Sequence, residues 1–131
     1  MNETPTIEVA VATKFAPRES DPSARRFVFA YTVTIAHKGG VPARLLNRHW
    51  IITNANAERQ EVRGRGVVGE QPRLEAGQSF KYTSATVIET PVGSMQGDYE
   101  FESDSGARFL VTIEAFSVGV SHQYSVPKAA L

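Results

Sequence analysis

Gly64-Arg65-Gly66-Val67-Val68-Gly69 has the G-x-G-x-x-G spacing with which dinucleotide-binding folds bring backbone amides to a pyrophosphate. That chemistry needs a helix leaving the loop with its dipole aimed at the phosphates. Here Glu70-Gln71-Pro72-Arg73-Leu74-Glu75-Ala76-Gly77 follows, and its proline and glycine leave no room for such a helix. Two readings of the segment stay open. One is an anion nest of backbone N–H groups flanked by Arg63 and Arg65, taking a nucleotide or pyrophosphate with or without hydrolysis. The other is a structural loop whose glycines permit unusual backbone angles. The candidate binding residues are therefore Arg63, Gly64, Arg65, Gly66 and Gly69.

Asp98, Glu100, Glu102 and Asp104 recur at intervals of two, which on a strand places four carboxylates on one face. Same-face neighbours on a strand sit roughly 6 to 7 Å apart, too far to converge on one hard cation at about 2.0 to 2.6 Å. The stripe reads as a solvated face, with Met95, Tyr99 and Phe101 turned inward, and as a second surface for a basic partner. His37, His49 and His122 lie on a turn, a strand and the tail without ligand spacing, so no metal site is assigned. Arg48 shares the nominal parity of Trp50 and Ile52. Its guanidinium must escape at an edge or meet a carboxylate. Gly93-Ser94-Met95-Gln96-Gly97 lacks nucleophile-elbow spacing, and no catalytic residue or cofactor is assigned.

These side chains need strands to position them. Ile7 to Phe15, Phe27 to Ala36, Leu45 to Thr53, Ser79 to Val87 and Met95 to Phe101 alternate with period two or carry β-branched and aromatic residues. Arg59 to Arg63 reads as an exposed edge strand paired back on its predecessor, and Ser103-Asp104-Ser105-Gly106 as a tight turn into Phe109, Val111 and Ile113. No window has helical apolar spacing. The fold expected is an all-β antiparallel sandwich of about seven strands. Its core should draw on Ile7, Val9, Val11, Phe27, Phe29, Tyr31, Val33, Ile35, Trp50, Phe80, Tyr82, Tyr99, Val111 and Ile113. Gly97-Asp98-Tyr99 suits a tyrosine corner, in which the hydroxyl ties a strand to its preceding connection. The domain should span 7–116, between a flexible N-terminus 1–6 and a mobile tail 117–131.

A chain of 131 residues points to one domain able to fold without disulfides, and it contains no cysteine. Thiol nucleophiles and cysteine zinc sites are thereby excluded. Fourteen Lys and Arg against fourteen Asp and Glu give a net charge of +0, which offers no excess for a phosphate backbone, so nucleic acid is not an expected partner. No apolar run approaches bilayer length, and the start Met1-Asn2-Glu3-Thr4-Pro5 has no signal-peptide pattern. A cytoplasmic location without membrane partners is expected.

Three runs carry a resemblance to a known family: Ser20-Asp21-Pro22 through Tyr31, Leu46-Asn47-Arg48-His49-Trp50-Ile51-Ile52-Thr53, and Val62 through Pro72. With Tyr82-Thr83-Ser84, Glu89-Thr90-Pro91-Val92-Gly93-Ser94-Met95 and Gly97-Asp98-Tyr99, the chain resembles the ApaG family over roughly residues 7–116. The resemblance implies a fibronectin type III or immunoglobulin-like sandwich, found alone in bacteria and appended to some eukaryotic F-box proteins. It also implies an association with cobalt resistance and magnesium efflux. Together with the absence of a catalytic constellation in the sequence, this favours a non-enzymatic protein-interaction domain. Nucleotide or other anion binding at the glycine loop is the alternative.

Overall fold

The computed structural model describes residues 4–121 and the backbone of 124–126. Its strands are β1 (Thr6–Phe15), β2 (Phe27–Gly39), β3 (Ala43–Asn54), β4 (Arg59–Arg65), β5 (Arg73–Leu74), β6 (Ser79–Ile88), β7 (Val92–Ser103), β8 (Arg108–Gly119) and β9 (Tyr124–Val126). Seven are long, as the alternation predicts. β5 and β9 are short additions of two and three residues. Two 3-10 turns, Pro17–Glu19 and Pro22–Ala24, occupy the connection after β1, each opened by a proline whose missing N–H costs nothing at a helix start.

All pairings are antiparallel. One sheet has the order β6-β2-β1-β9 and the other β4-β3-β7-β8, with β5 beside β3. Two irregularities, at Leu45/Asn47 and Met95/Gly97, shift the register within the second sheet. The sheets face each other through the inward parity of their strands, including Val11, Phe29, Tyr31, Val33 and Ile35 from one and Leu45, Trp50, Ile52, Met95, Tyr99 and Phe101 from the other. Ile7, Val9, Phe27, Phe80 and Val111, expected in the core, pack around its rim. No helix among the described residues is long and apolar enough to cross a membrane.

Trp50 stands at the centre, 2% exposed, with edge contacts to Tyr31, Tyr99 and Phe116 at ring-centroid distances of 5.3, 6.3 and 6.0 Å. The tyrosine-corner expectation is corrected here. Tyr99 lies within β7, and its hydroxyl hydrogen-bonds the Tyr82 hydroxyl on β6, joining the two sheets rather than a strand to its own connection. Burial pushes both phenols above their ordinary range near 10, so both keep their protons. The unfolded chain gives up these protons near pH 10 and the folded chain only well above it. Their contribution is thus complete below pH 10 and is lost as the pH rises. Denaturant titrations between pH 8 and pH 11 should show stability falling by up to about 1.4 kcal/mol per pH unit for each phenol at the alkaline end. The Tyr82→Phe/Tyr99→Phe variant should flatten that fall; an unchanged slope would remove the assignment.

The boundary expected at 116 lies inside β8, which continues to Gly119 because Val118, 1% exposed, is still part of the core. Beyond it, Tyr124–Val126 pairs with Val11–Thr13 of β1. The remainder of the segment expected to be a tail, with His122, lies outside the described residues, as do residues 1–3 of the expected flexible N-terminus.

Candidate functional site

A hairpin closed by Asn54 N–H donating to Glu58 O (3.0 Å) sets the register of β3 and β4, opposing Thr53 with Arg59, His49 with Arg63 and Asn47 with Arg65. On the other side of β3, His49 opposes Asp98 and Asn47 opposes Glu100 of β7. Since Trp50 and Tyr99 turn inward, these residues turn outward. Asn47, His49, Arg63, Asp98 and Glu100 line an open groove of about 690 Å³, to which Arg48 and Gly64 also contribute and β8 adds Leu110, 65% exposed. The two surfaces singled out separately in the sequence, the arginine-bearing glycine segment and the acidic stripe, are thus two sides of one sheet face.

Within the groove the charges are paired locally. His49 Nε2 is 3.3 Å from Glu61 Oε2 and its Nδ1 is 3.4 Å from Asp98 Oδ2, which places the imidazole between two carboxylates. Asn47 Nδ2 donates to Glu100 Oε1 at 2.7 Å. Arg63 is exposed and reaches Glu61 at 3.6 Å. Glu102 pairs with Arg108 at 3.4 Å, whereas Asp104 falls beyond β7 in the following turn, bound to Arg73. Only three members of the four-carboxylate stripe therefore share the strand. Among the described residues no group of three or more His, Cys, Asp or Glu is placed to hold a metal ion.

Arg63, Gly64 and Arg65 belong to β4, and Arg65 donates to Gln71 Oε1 at 3.1 Å. Gly66 and Gly69 take positive φ of 64° and 83° in the turn that follows, whose inward residue Val67 is fully buried. The Gly66 N–H donates to Leu46 O, and Val67 and Glu70 exchange N–H donations to each other's carbonyl. Those amides are engaged by backbone oxygens, and no helix leaves the turn. What the segment does hold is a guanidinium. Arg48 projects inward from β3 against Gly64, and its Nη1 donates to Arg65 O (3.1 Å) and Gly66 O (3.0 Å). A Cβ at Gly64 would lie 2.6 Å from that guanidinium, so the glycine is the space the arginine uses to reach the edge.

His37, fully buried, is structural: its Nε2–H donates to Val41 O at 2.7 Å, while Nδ1 accepts from Gly39 N–H at 3.2 Å. Asn47 and Leu110 went unassigned as site residues in the sequence, although the turn at residues 54–58 carries the register signal that brings Asn47 to Arg65.

The fold is an antiparallel two-sheet sandwich of the fibronectin type III/immunoglobulin-like class with an open, mixed-charge groove on one outer face. The ApaG domain model matches residues 17–103, and the chain belongs to the ApaG domain family. It is 50% identical over 114 residues to the protein ApaG of Aromatoleum aromaticum, covering 87% of this chain and 90% of that one. Identity to the protein ApaG of Acidithiobacillus ferrooxidans is also 50%, over 115 residues, with 88% and 91% covered. A crystal structure from Bordetella pertussis described as an ApaA protein superposes with a TM-score of 0.88 at 43% identity, covering 91% of this chain and 97% of that one.

Proposed function

We propose that the chain is a non-enzymatic protein-interaction domain that presents the outer face of the β4-β3-β7-β8 sheet to a partner protein. The observation that carries this reading is the convergence of Arg63 with Asp98 and Glu100 around His49 on one open groove. An exposed face with charges of both signs, and an exposed leucine at its border, favours orientation of a macromolecule by complementary charge. Exposed arginine adds bidentate contacts. The groove carboxylates are held by Asn47 and His49, an arrangement that serves recognition better than proton transfer. In this reading the link to cobalt resistance and magnesium efflux runs through the partner, in the cytoplasm.

Proximity labelling in the native cell, followed by affinity measurement with purified partners, tests it. The Arg63→Ala/Arg65→Ala variant should stay folded and bind the groove partner at least about tenfold more weakly, the loss of roughly 1.4 kcal/mol of polar contact. Unchanged affinity for every recovered partner would remove the face from the proposal. Titration with nucleoside di- and triphosphates, with and without magnesium, separates the anion alternative: saturable amide shifts confined to residues 64–69 would favour it.

A further inference from the structure

A second hollow, of about 340 Å³, opens between the sheets on the side where β4 and β6 form the two edges. Residues 84–87 of β6 all line it. Side chains alternate across a strand, so four consecutive lining residues mean that the edge of β6, with its outward N–H and C=O groups, borders the hollow. Gln60 and Val62 of β4 form the opposite wall, and Tyr31, Arg48 and Trp50 the floor.

The charge in this crevice is one-sided. Arg48 is its single ionic group among the described lining residues, and none of the described carboxylates lies within ion-pair distance of it. Its hydrogen bonds among the described residues run from Nη1 alone, to two carbonyls, and a guanidinium keeps its charge under all ordinary conditions. The buried Trp50 indole N–H lies near the Tyr82 hydroxyl without reaching hydrogen-bonding geometry. A partly buried cation with free donor capacity favours a carboxylate brought from outside, because pairing offsets the cost of holding the charge away from water. A strand edge beside it supplies backbone partners for whatever carries that carboxylate.

We propose that the crevice binds an extended peptide, which adds to the edge of β6 and seats an acidic side chain on Arg48. The crevice shares Arg48 with the outer-face groove and is otherwise lined by different residues, across β4 from it.

Trp50 is the only tryptophan and reports directly on the crevice. The probes are the N-acetylated, C-amidated pentapeptide Thr-Val-Glu-Val-Thr, its glutamine counterpart, and sodium isovalerate as a free carboxylate. The glutamate peptide should shift the Trp50 indole cross-peak and fluorescence saturably, with the glutamine peptide at least tenfold weaker. Arg48→Ala should abolish that preference. Val87→Glu, at a position 42% exposed at the crevice mouth, should weaken the glutamate peptide at least tenfold while leaving the denaturation midpoint unchanged. Arg63→Ala, on the outer face, should leave peptide binding unchanged, so failure of one site is distinguishable from failure of the other. No indole shift, equal affinity for the two peptides, or isovalerate binding as tightly as the peptide would each overturn the proposal.

Discussion

Gly97→Ala is expected to destabilise the domain by at least about 3 kcal/mol, through overpacking at the junction of the two central strands of the β4-β3-β7-β8 sheet. A Cβ at Gly97 would sit 1.9 Å from the carbonyl oxygen of His49 and 3.2 Å from the Cα of Trp50. The obstacle is backbone in a paired strand, so no rotamer change relieves it. The register irregularity at Met95/Gly97 falls at this point, and the glycine lets β7 pass close to β3 there. Moving the strands apart would disturb both the His49–Asp98 contact and the packing of Trp50. Urea denaturation of the purified variant measures the effect. A midpoint within the equivalent of 1 kcal/mol of the parent would show that the strands separate freely here.

Trp50→Ala should cost about 3 to 5 kcal/mol, a large part of the roughly 5 to 15 kcal/mol that holds a typical domain together. The indole makes ring contacts with both sheets, to Tyr31 from β2 and to Tyr99 and Phe116 from β7 and β8. Its removal leaves a cavity that rigid strands on both sides fill poorly. Trp50→Phe retains part of the contact area and should lose about half as much. Equal losses for the two variants would show that a phenyl ring at this position recovers none of the contact energy and would contradict this account.

Period-two alternation made the strands legible, because each sheet buries one face: Val11, Val33 and Ile35 turn inward where the pattern requires it. The acidic stripe was readable for the same reason, since Tyr99 and Phe101 between its members face the core. The pairing of Tyr99 with Tyr82 was not, because local sequence says nothing of which residue stands opposite in the other sheet. Nor was the extension of β8 to Gly119. Pairing of Val118 and Gly119 with Gly93 and Val92, and the burial of Val118, carry the sandwich to that point. The glycine segment shows the limit at the site. Its motif spacing suggested a cradle for an anion, whereas Gly64 receives Arg48, a residue 16 positions earlier that reaches it only through the hairpin register.

The central claim, that the face uniting Arg63 with the β7 carboxylates is a recognition surface, is tested most directly by amide cross-peak mapping. The isotopically labelled domain is titrated with a purified partner recovered by proximity labelling. Saturable shifts should centre on Asn47, His49, Arg63, Arg65, Asp98 and Glu100 and weaken as salt is raised, as exposed charges require. Saturable shifts lying wholly outside that face, with those six residues unmoved, would contradict it.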